Sequence, residues 1–258
     1  MITITVRFFS VLNDFLPRAQ RQQQLVMQVT PQRSIKDILE SIGVPHVEID
    51  LISLHPEGGT KSSAVDFNYH PIHNDAFTVY PETHPLTDRG LMTSVTAPHR
   101  FLLDVHLGKL ARLMRMLGFD SFYRNDLTDP VLARMSREQH RILLTQDRRL
   151  LMRREVTLGL CIRSQKPHTQ LREVLQRYEI HLQARPFSRC MNCNGQLVEV
   201  PKEVVFERLP PRVKKWCDTF ACCVDCDNIY WQGTHHARMK LWVKDLLQEA
   251  DQGRKQYV

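Results

Sequence analysis

Two stretches decide the fold: Phe101-Leu102-Leu103-Asp104-Val105-His106-Leu107-Gly108-Lys109-Leu110-Ala111-Arg112 and Ile142-Leu143-Leu144-Thr145-Gln146-Asp147-Arg148. Each opens on a short unbroken apolar run, which reads as a strand buried on both faces, and each then reaches an acid. After the first, Leu107, Leu110, Ala111, Met114 and Leu117 recur at helical spacing, and Gly118 stands where a helix stops. A second strand reads near Ser121–Tyr123, and Asp129-Pro130 starts the next helix, with Asp as N-cap and Pro first inside. Another strand over Leu158–Ile162 and a helix over Thr169–Tyr178 complete residues 100–185. This alternation predicts an α/β domain with a Rossmann-like parallel sheet and helices on both faces. No glycine-rich phosphate-binding loop follows any strand, so neither a dinucleotide site nor a Walker-type site is expected.

Residues 1–82 have a different rhythm. Ile2, Ile4, Val6 and Phe8 alternate with polar residues, and Leu25–Val29 reads as a second strand. Ser34 caps a helix carrying Ile35, Ile38, Leu39 and Ile42 on one face and stopping at Gly43. Strands follow near Ile49–Leu54, Val65–Phe67 and Phe77–Tyr80. The order ββαβββ resembles an α+β β-grasp (ubiquitin-like) domain, and Val79-Tyr80-Pro81 resembles the sulfur-carrier branch of that fold. Such carriers need a free terminal Gly-Gly, and the pair here, Gly58-Gly59, stands in a loop, so an adaptor or packing role is expected instead. Residues 83–99, rich in Pro, Thr and Ser, read as a linker, and 186–258 as a Cys-rich segment followed by a basic helix near Ala237–Leu247.

Of the 258 residues, 42% are hydrophobic and 24% charged, ordinary values for a globular chain. No apolar run approaches the roughly 20 residues of a spanning helix, and the N-terminus lacks the pattern of a signal peptide. A cytoplasmic protein with no membrane association is expected. Charge is uneven: residues 1–95 hold 7 Lys+Arg and 10 Asp+Glu, a net of −3, which leaves 28 and 18, a net of +10, for residues 96–258. A basic body of this kind points to a polyanion such as RNA.

Asp104 and Asp147 fall at or just past the carboxyl ends of strands, where open sheets bind their ligands, and Asp129 starts the helix after the second strand. Three converging carboxylates repel one another unless a hard cation sits between them, so Mg²⁺ or Mn²⁺ is expected there. For Asp129 helix capping is an equal explanation. Lys109, Arg112, Arg115, Arg148, Arg149, Arg153 and Arg154 cluster after these acids, suited to phosphate contacts or to solvated helix faces. Cys190-x-x-Cys193 and Cys223-x-x-Cys226, separated by 29 residues, predict a closed and therefore structural four-cysteine zinc site. Cys222 competes with Cys223, but its spacing to Cys226 is irregular for a knuckle; Cys161 and Cys217 are expected to be bystanders.

Several stretches together resemble one family. They are the two quoted above, with Leu117-Gly118-Phe119-Asp120, Arg189-Cys190-Met191-Asn192-Cys193-Asn194, Cys223-Val224-Asp225-Cys226 and Tyr230-Trp231-Gln232-Gly233-Thr234-His235. They are similar to the Mut-seven C-terminal RNase domain family, a PIN-like nuclease fold with a zinc ribbon, whose bacterial members often carry a ubiquitin-like domain in front. The resemblance implies a metal-dependent ribonuclease with its acidic positions at Asp104, Asp129 and Asp147. Asp126 is an additional carboxylate, and Thr145 matches a hydroxyl that such sites place beside the metal. The sequence departs from the pattern at Gln146, where an arginine is usual, and at Arg163-Ser164-Gln165-Lys166, where many PIN nucleases place a further carboxylate. The competing expectation is an RNA- or ribosome-binding zinc-ribbon protein without catalysis, whose β-grasp domain docks a protein partner.

Overall fold

The computed structural model describes residues 1–55, 62–81 and 99–255. The linker expected at 83–99 falls outside them except for His99, as does the Gly58-Gly59 pair.

The N-terminal module comprises β1 (Ile2–Phe8), β2 (Gln24–Val29), α1 (Ile35–Ile42), β3 (Ile49–His55), β4 (Ser63–Val65) and β5 (Ala76–Pro81). Its sheet has the order β2-β1-β5-β3-β4. β1 lies antiparallel to β2, with Ile4 opposite Met27, and parallel to β5, with Val6 opposite Phe77. Alternation in β1 buries Ile4, Val6 and Phe8 against the apolar stripe Ile35, Ile38 and Leu39 of α1. The Ser34 hydroxyl caps that helix by accepting from the Asp37 N–H at 3.2 Å, and Gly43 ends it. This is the ubiquitin-like topology expected; β4 lies slightly upstream of the strand read at Val65–Phe67.

The rest of the chain runs β6 (Arg100–Leu103), α2 (Gly108–Met116), β7 (Asp120–Tyr123), α3 (Asp129–Glu138), β8 (Ile142–Thr145), α4 (Arg148–Leu151), β9 (Gly159–Cys161) and α5 (Pro167–Tyr178). It continues with β10 (Leu197–Val200), α6 (Lys202–Val205), α7 (Pro211–Trp216), β11 (Phe220–Cys223), β12 (Ile229–Trp231) and α8 (Thr234–Lys255). β6 pairs parallel with β7, and β8 parallel with β9, as the alternation with helices predicts. β10, β11 and β12 form an antiparallel sheet in that order.

Two compact units emerge: Met1–Ala97 with Thr128–Cys161, and Pro98–Leu127 with Ile162–Val258. In the first, the ubiquitin-like module packs on the segment from α3 to β9. Glu48, almost wholly buried, accepts the Cys161 N–H at 2.6 Å. His46 Nε2 donates to the Val156 carbonyl at 2.9 Å while its Nδ1 meets Glu40 at 2.7 Å. Arg148 donates to the Phe15 carbonyl at 2.8 Å and stacks over the Phe15 ring. A buried acid is tolerable only with donors to satisfy it, and Glu48 has one in the backbone of β9.

In the second unit, β6, β7, α2 and α5 bury Phe101, Leu102, Leu103, Leu110, Met114 and Leu171. Gly118 has φ +88°, and a Cβ there would stand 2.2 Å from the Arg185 carbonyl, so only glycine fits. A separate small core under the antiparallel sheet gathers Val205, Leu209, Val213, Cys217 and Phe220. Cys217 is thus packing material, as expected of a bystander, and α8 is longer than the helix read at Ala237–Leu247.

Candidate functional site

The four cysteines come together. Their sulfurs all lie within 4.8 Å of one another, with Cys190 to Cys226 at 3.6 Å and Cys193 to Cys223 at 3.3 Å. A tetrahedral ion at about 2.3 Å from each sulfur spaces them by roughly 3.8 Å, so the cage is of the size such an ion needs. Local backbone builds it twice. The N–H of Asn194 bonds to the Cys190 carbonyl at 2.9 Å, and that of Asp227 to the Cys223 carbonyl at 3.0 Å. Asn194 and Asp227, each four residues past the first cysteine of its pair, both have positive φ, a conformation these two residue types tolerate well. Backbone N–H groups of Cys193 and Gly195 point at the sulfurs of Cys190 and Cys193, at 3.5 and 3.4 Å. A Cβ on Gly195 would approach the Cys223 sulfur to 2.8 Å.

Electrostatics favour a cation in this cage. Burial pushes the Cys190 thiol up, but the Tyr230 hydroxyl and nearby N–H donors outweigh it and bring Cys190 down to about 6. Cys193 is pushed up to about 12, first by burial and then by its sulfur neighbours. Cys226 is raised as well, chiefly by burial. Four thiolates this close require a positive ion to ionise together. Cys222, the competitor for Cys223, turns away and meets Asp227 Oδ1 at 3.0 Å, because successive side chains of β11 alternate faces.

The first knuckle is bolted to α2 and β7. Arg115 donates to the Ser121 carbonyl at 2.9 Å, to the Asn192 carbonyl at 2.7 Å and to the Met191 carbonyl at 3.3 Å. Asn194 bonds both the Ser121 N–H and the Asp120 carboxylate, each at 2.9 Å. Arg115 is 3% exposed, which corrects its expected place among surface RNA contacts. A local signal was available: Arg115 stands four residues after Ala111, on the apolar stripe of α2. Burial holds its guanidinium below the usual range, partly offset by Cys193, Cys190 and Asp120. The Tyr230 hydroxyl, 3.2 Å from the Cys190 sulfur, is a further support that no spacing rule announced.

The acids are placed as follows. Asp104 is buried directly after β6 and caps the turn over Val105–Leu107, its Oδ1 accepting the Val105 N–H. Asp147 is exposed two residues past β8 and is the N-cap of α4, accepting the Arg149 N–H at 2.7 Å. Thr145, fully buried, accepts the Asp147 N–H on its hydroxyl at 2.9 Å and so fixes the turn that carries the acid. Asp129 is exposed and is not the N-cap of α3: Thr128 is extended and takes that place, with Asp129 already in the first helical turn. Asp126 is exposed and ion-paired with Arg124, which draws its carboxyl below the ordinary range, chiefly through their hydrogen bond. Lys109, Arg112, Arg148 and Arg149 are exposed, and Arg148 is in addition held on Phe15.

A ubiquitin-like module followed by parallel α/β elements and a four-cysteine ribbon defines the class of protein. Residues 99–243 match the model of the Mut7-C RNAse domain, and residues 1–87 match that of the Mut7-C ubiquitin domain. The chain belongs to the Mut7-C RNase domain family. No curated protein and no solved structure matches it. Among the described residues no helix is long and apolar enough to cross a membrane.

Proposed function

We propose that this protein is a metal-dependent ribonuclease that hydrolyses RNA phosphodiester bonds. The observation that carries the reading is the match of residues 99–243 to an RNase domain. The carboxylates of Asp104, Asp129 and Asp147 are hard oxygen donors of the type Mg²⁺ and Mn²⁺ take, and they would hold the ion, with Asp126 nearby in sequence. Bound there, such an ion supplies an activated water and stabilises charge on the leaving oxygen. Thr145 sets the direction of Asp147 through its hydrogen bond to the Asp147 N–H. Lys109, Arg112 and Arg149 would take the RNA backbone, now without Arg115 and with Arg148 partly committed to Phe15.

The four cysteines would hold a structural zinc, since a full set of protein ligands leaves no position for water. Zinc with four thiolates carries a net −2, so the C-terminal part stays strongly basic and suited to RNA.

Cleavage of end-labelled single-stranded RNA, with and without Mn²⁺, is the test, run on wild type, Asp104→Asn and Asp147→Asn at equal zinc content. Metal-dependent cleavage abolished in both variants is expected. No cleavage by folded wild type, or equal cleavage by all three, would sink the assignment and leave an RNA-binding protein.

A further inference from the structure

Beside the cysteine cage a groove of about 1050 Å³ runs between α8 and the antiparallel sheet. Its walls carry rings. Phe187 and His236 pack against each other with centroids 4.5 Å apart and planes tilted by 52°, and Tyr230 lines the sheet side. Phe187 is held at φ +62°, a costly conformation for a bulky residue, by its N–H bond to the Met116 carbonyl at 2.8 Å. Lys240 and Lys244, both exposed, stand on the α8 side. Glu199 is the one acid among the described residues that line the groove. The first eleven residues of α8, Thr234 to Lys244, hold Arg238, Lys240 and Lys244 and no acid. Burial, and then Lys240, lower the His236 pKa, which keeps the ring neutral near neutral pH.

Aromatic walls under a cationic lip are the elements of a single-strand nucleic-acid platform: bases stack on rings while phosphates meet lysines. We propose that this groove binds a single-stranded segment of RNA, its bases against Phe187, His236 and Tyr230 and its phosphates at Lys240 and Lys244. The occupant follows from charge complementarity, and the inference rests on RNA being the substrate class. The metal cage supports the groove, because Tyr230 gives its ring to the wall and its hydroxyl to Cys190. None of Asp104, Asp129 and Asp147 lines the groove, so binding and cleavage can be lost separately.

The test is fluorescence anisotropy of a fluorescein-labelled twelve-nucleotide oligouridylate on the full, zinc-loaded chain, without added divalent ion and over a range of salt. Lys240→Gln/Lys244→Gln is expected to weaken binding roughly tenfold and to flatten the salt slope by about 1.4, the value for two phosphate contacts on a single strand. His236→Ala is expected to weaken it roughly tenfold with the slope unchanged, and His236→Phe to restore it. Arg212→Gln/Lys215→Gln removes the same charge from exposed positions of α7 and is the control. Equal weakening by the control, or no weakening by the α8 pair, would overturn the groove. In the latter case intact metal-dependent cleavage would leave the nuclease reading standing and the groove open to an apolar protein segment. Oligouridylate bound through the groove by a protein that cleaves nothing would support the groove and refute the nuclease. Failure to bind any RNA would overturn both.

Discussion

Arg115 gives the most exposed test of how this molecule is built. Its buried guanidinium joins β7 to the first cysteine knuckle through the carbonyls of Ser121, Asn192 and Met191. Arg115→Ala leaves those oxygens without their charged donor. The bonds at 2.9 and 2.7 Å are well formed and the third, at 3.3 Å, is weak. At about 1.5–3 kcal/mol for each charge-assisted bond, the two good ones imply a loss of about 4 kcal/mol. With a urea dependence of about 2 kcal/mol/M, the unfolding midpoint of the part that carries the cysteine cage should fall by about 2 M. A positive charge beside a zinc–tetrathiolate also leaves, so zinc should pass to a coloured chelator faster. Arg115→Lys keeps the charge but not the planar fork, and should recover part of the zinc retention and little of the midpoint. Tryptophan fluorescence in urea and chelator absorbance read both effects. An unchanged midpoint and unchanged zinc release in Arg115→Ala, with RNA binding lost instead, would refute this account and return Arg115 to the RNA surface.

Three other outcomes follow from the geometry. Cys223→Ser should abolish stoichiometric zinc by metal analysis, while Cys222→Ser, whose sulfur faces Asp227, should retain one ion per chain. Thr145→Val removes the acceptor of the Asp147 N–H from a fully buried site. It should lower the cleavage rate roughly tenfold, by misplacing the Asp147 carboxylate, with Thr145→Ser restoring it and zinc content unchanged in both. Glu48→Ala removes the carboxylate that accepts the buried Cys161 N–H and should cost about 2–4 kcal/mol in urea unfolding, more than truncation of the exposed Glu138.

Much of this protein could be read directly from residue spacing. The alternation in Ile2–Phe8 and the 3.6-residue stripe after Ser34 define the ubiquitin-like module because local periodicity reports which face is buried. Two C-x-x-C pairs predict the cage for a similar reason: each knuckle is a local turn that needs no distant contact to aim two sulfurs. Capping was less legible. Asp129-Pro130 reads as N-cap and first residue, but Thr128 is the residue left extended, and a one-residue shift is invisible to preferences that Thr and Asp share. Asp147, read only as a ligand, is the N-cap of α4.

By itself, then, the sequence determined the order of modules, the parallel α/β rhythm and the ligand set of the cage, all of which depend on neighbours within a few turns of chain. Tertiary structure alone decided that the Arg115 guanidinium ends on the carbonyls of Met191 and Asn192, 76 and 77 residues away, and that Glu48 serves Cys161 across 113 residues. A charged side chain is read from sequence as surface by default, and only the carbonyls and amides that converge on it from distant segments make its burial tolerable.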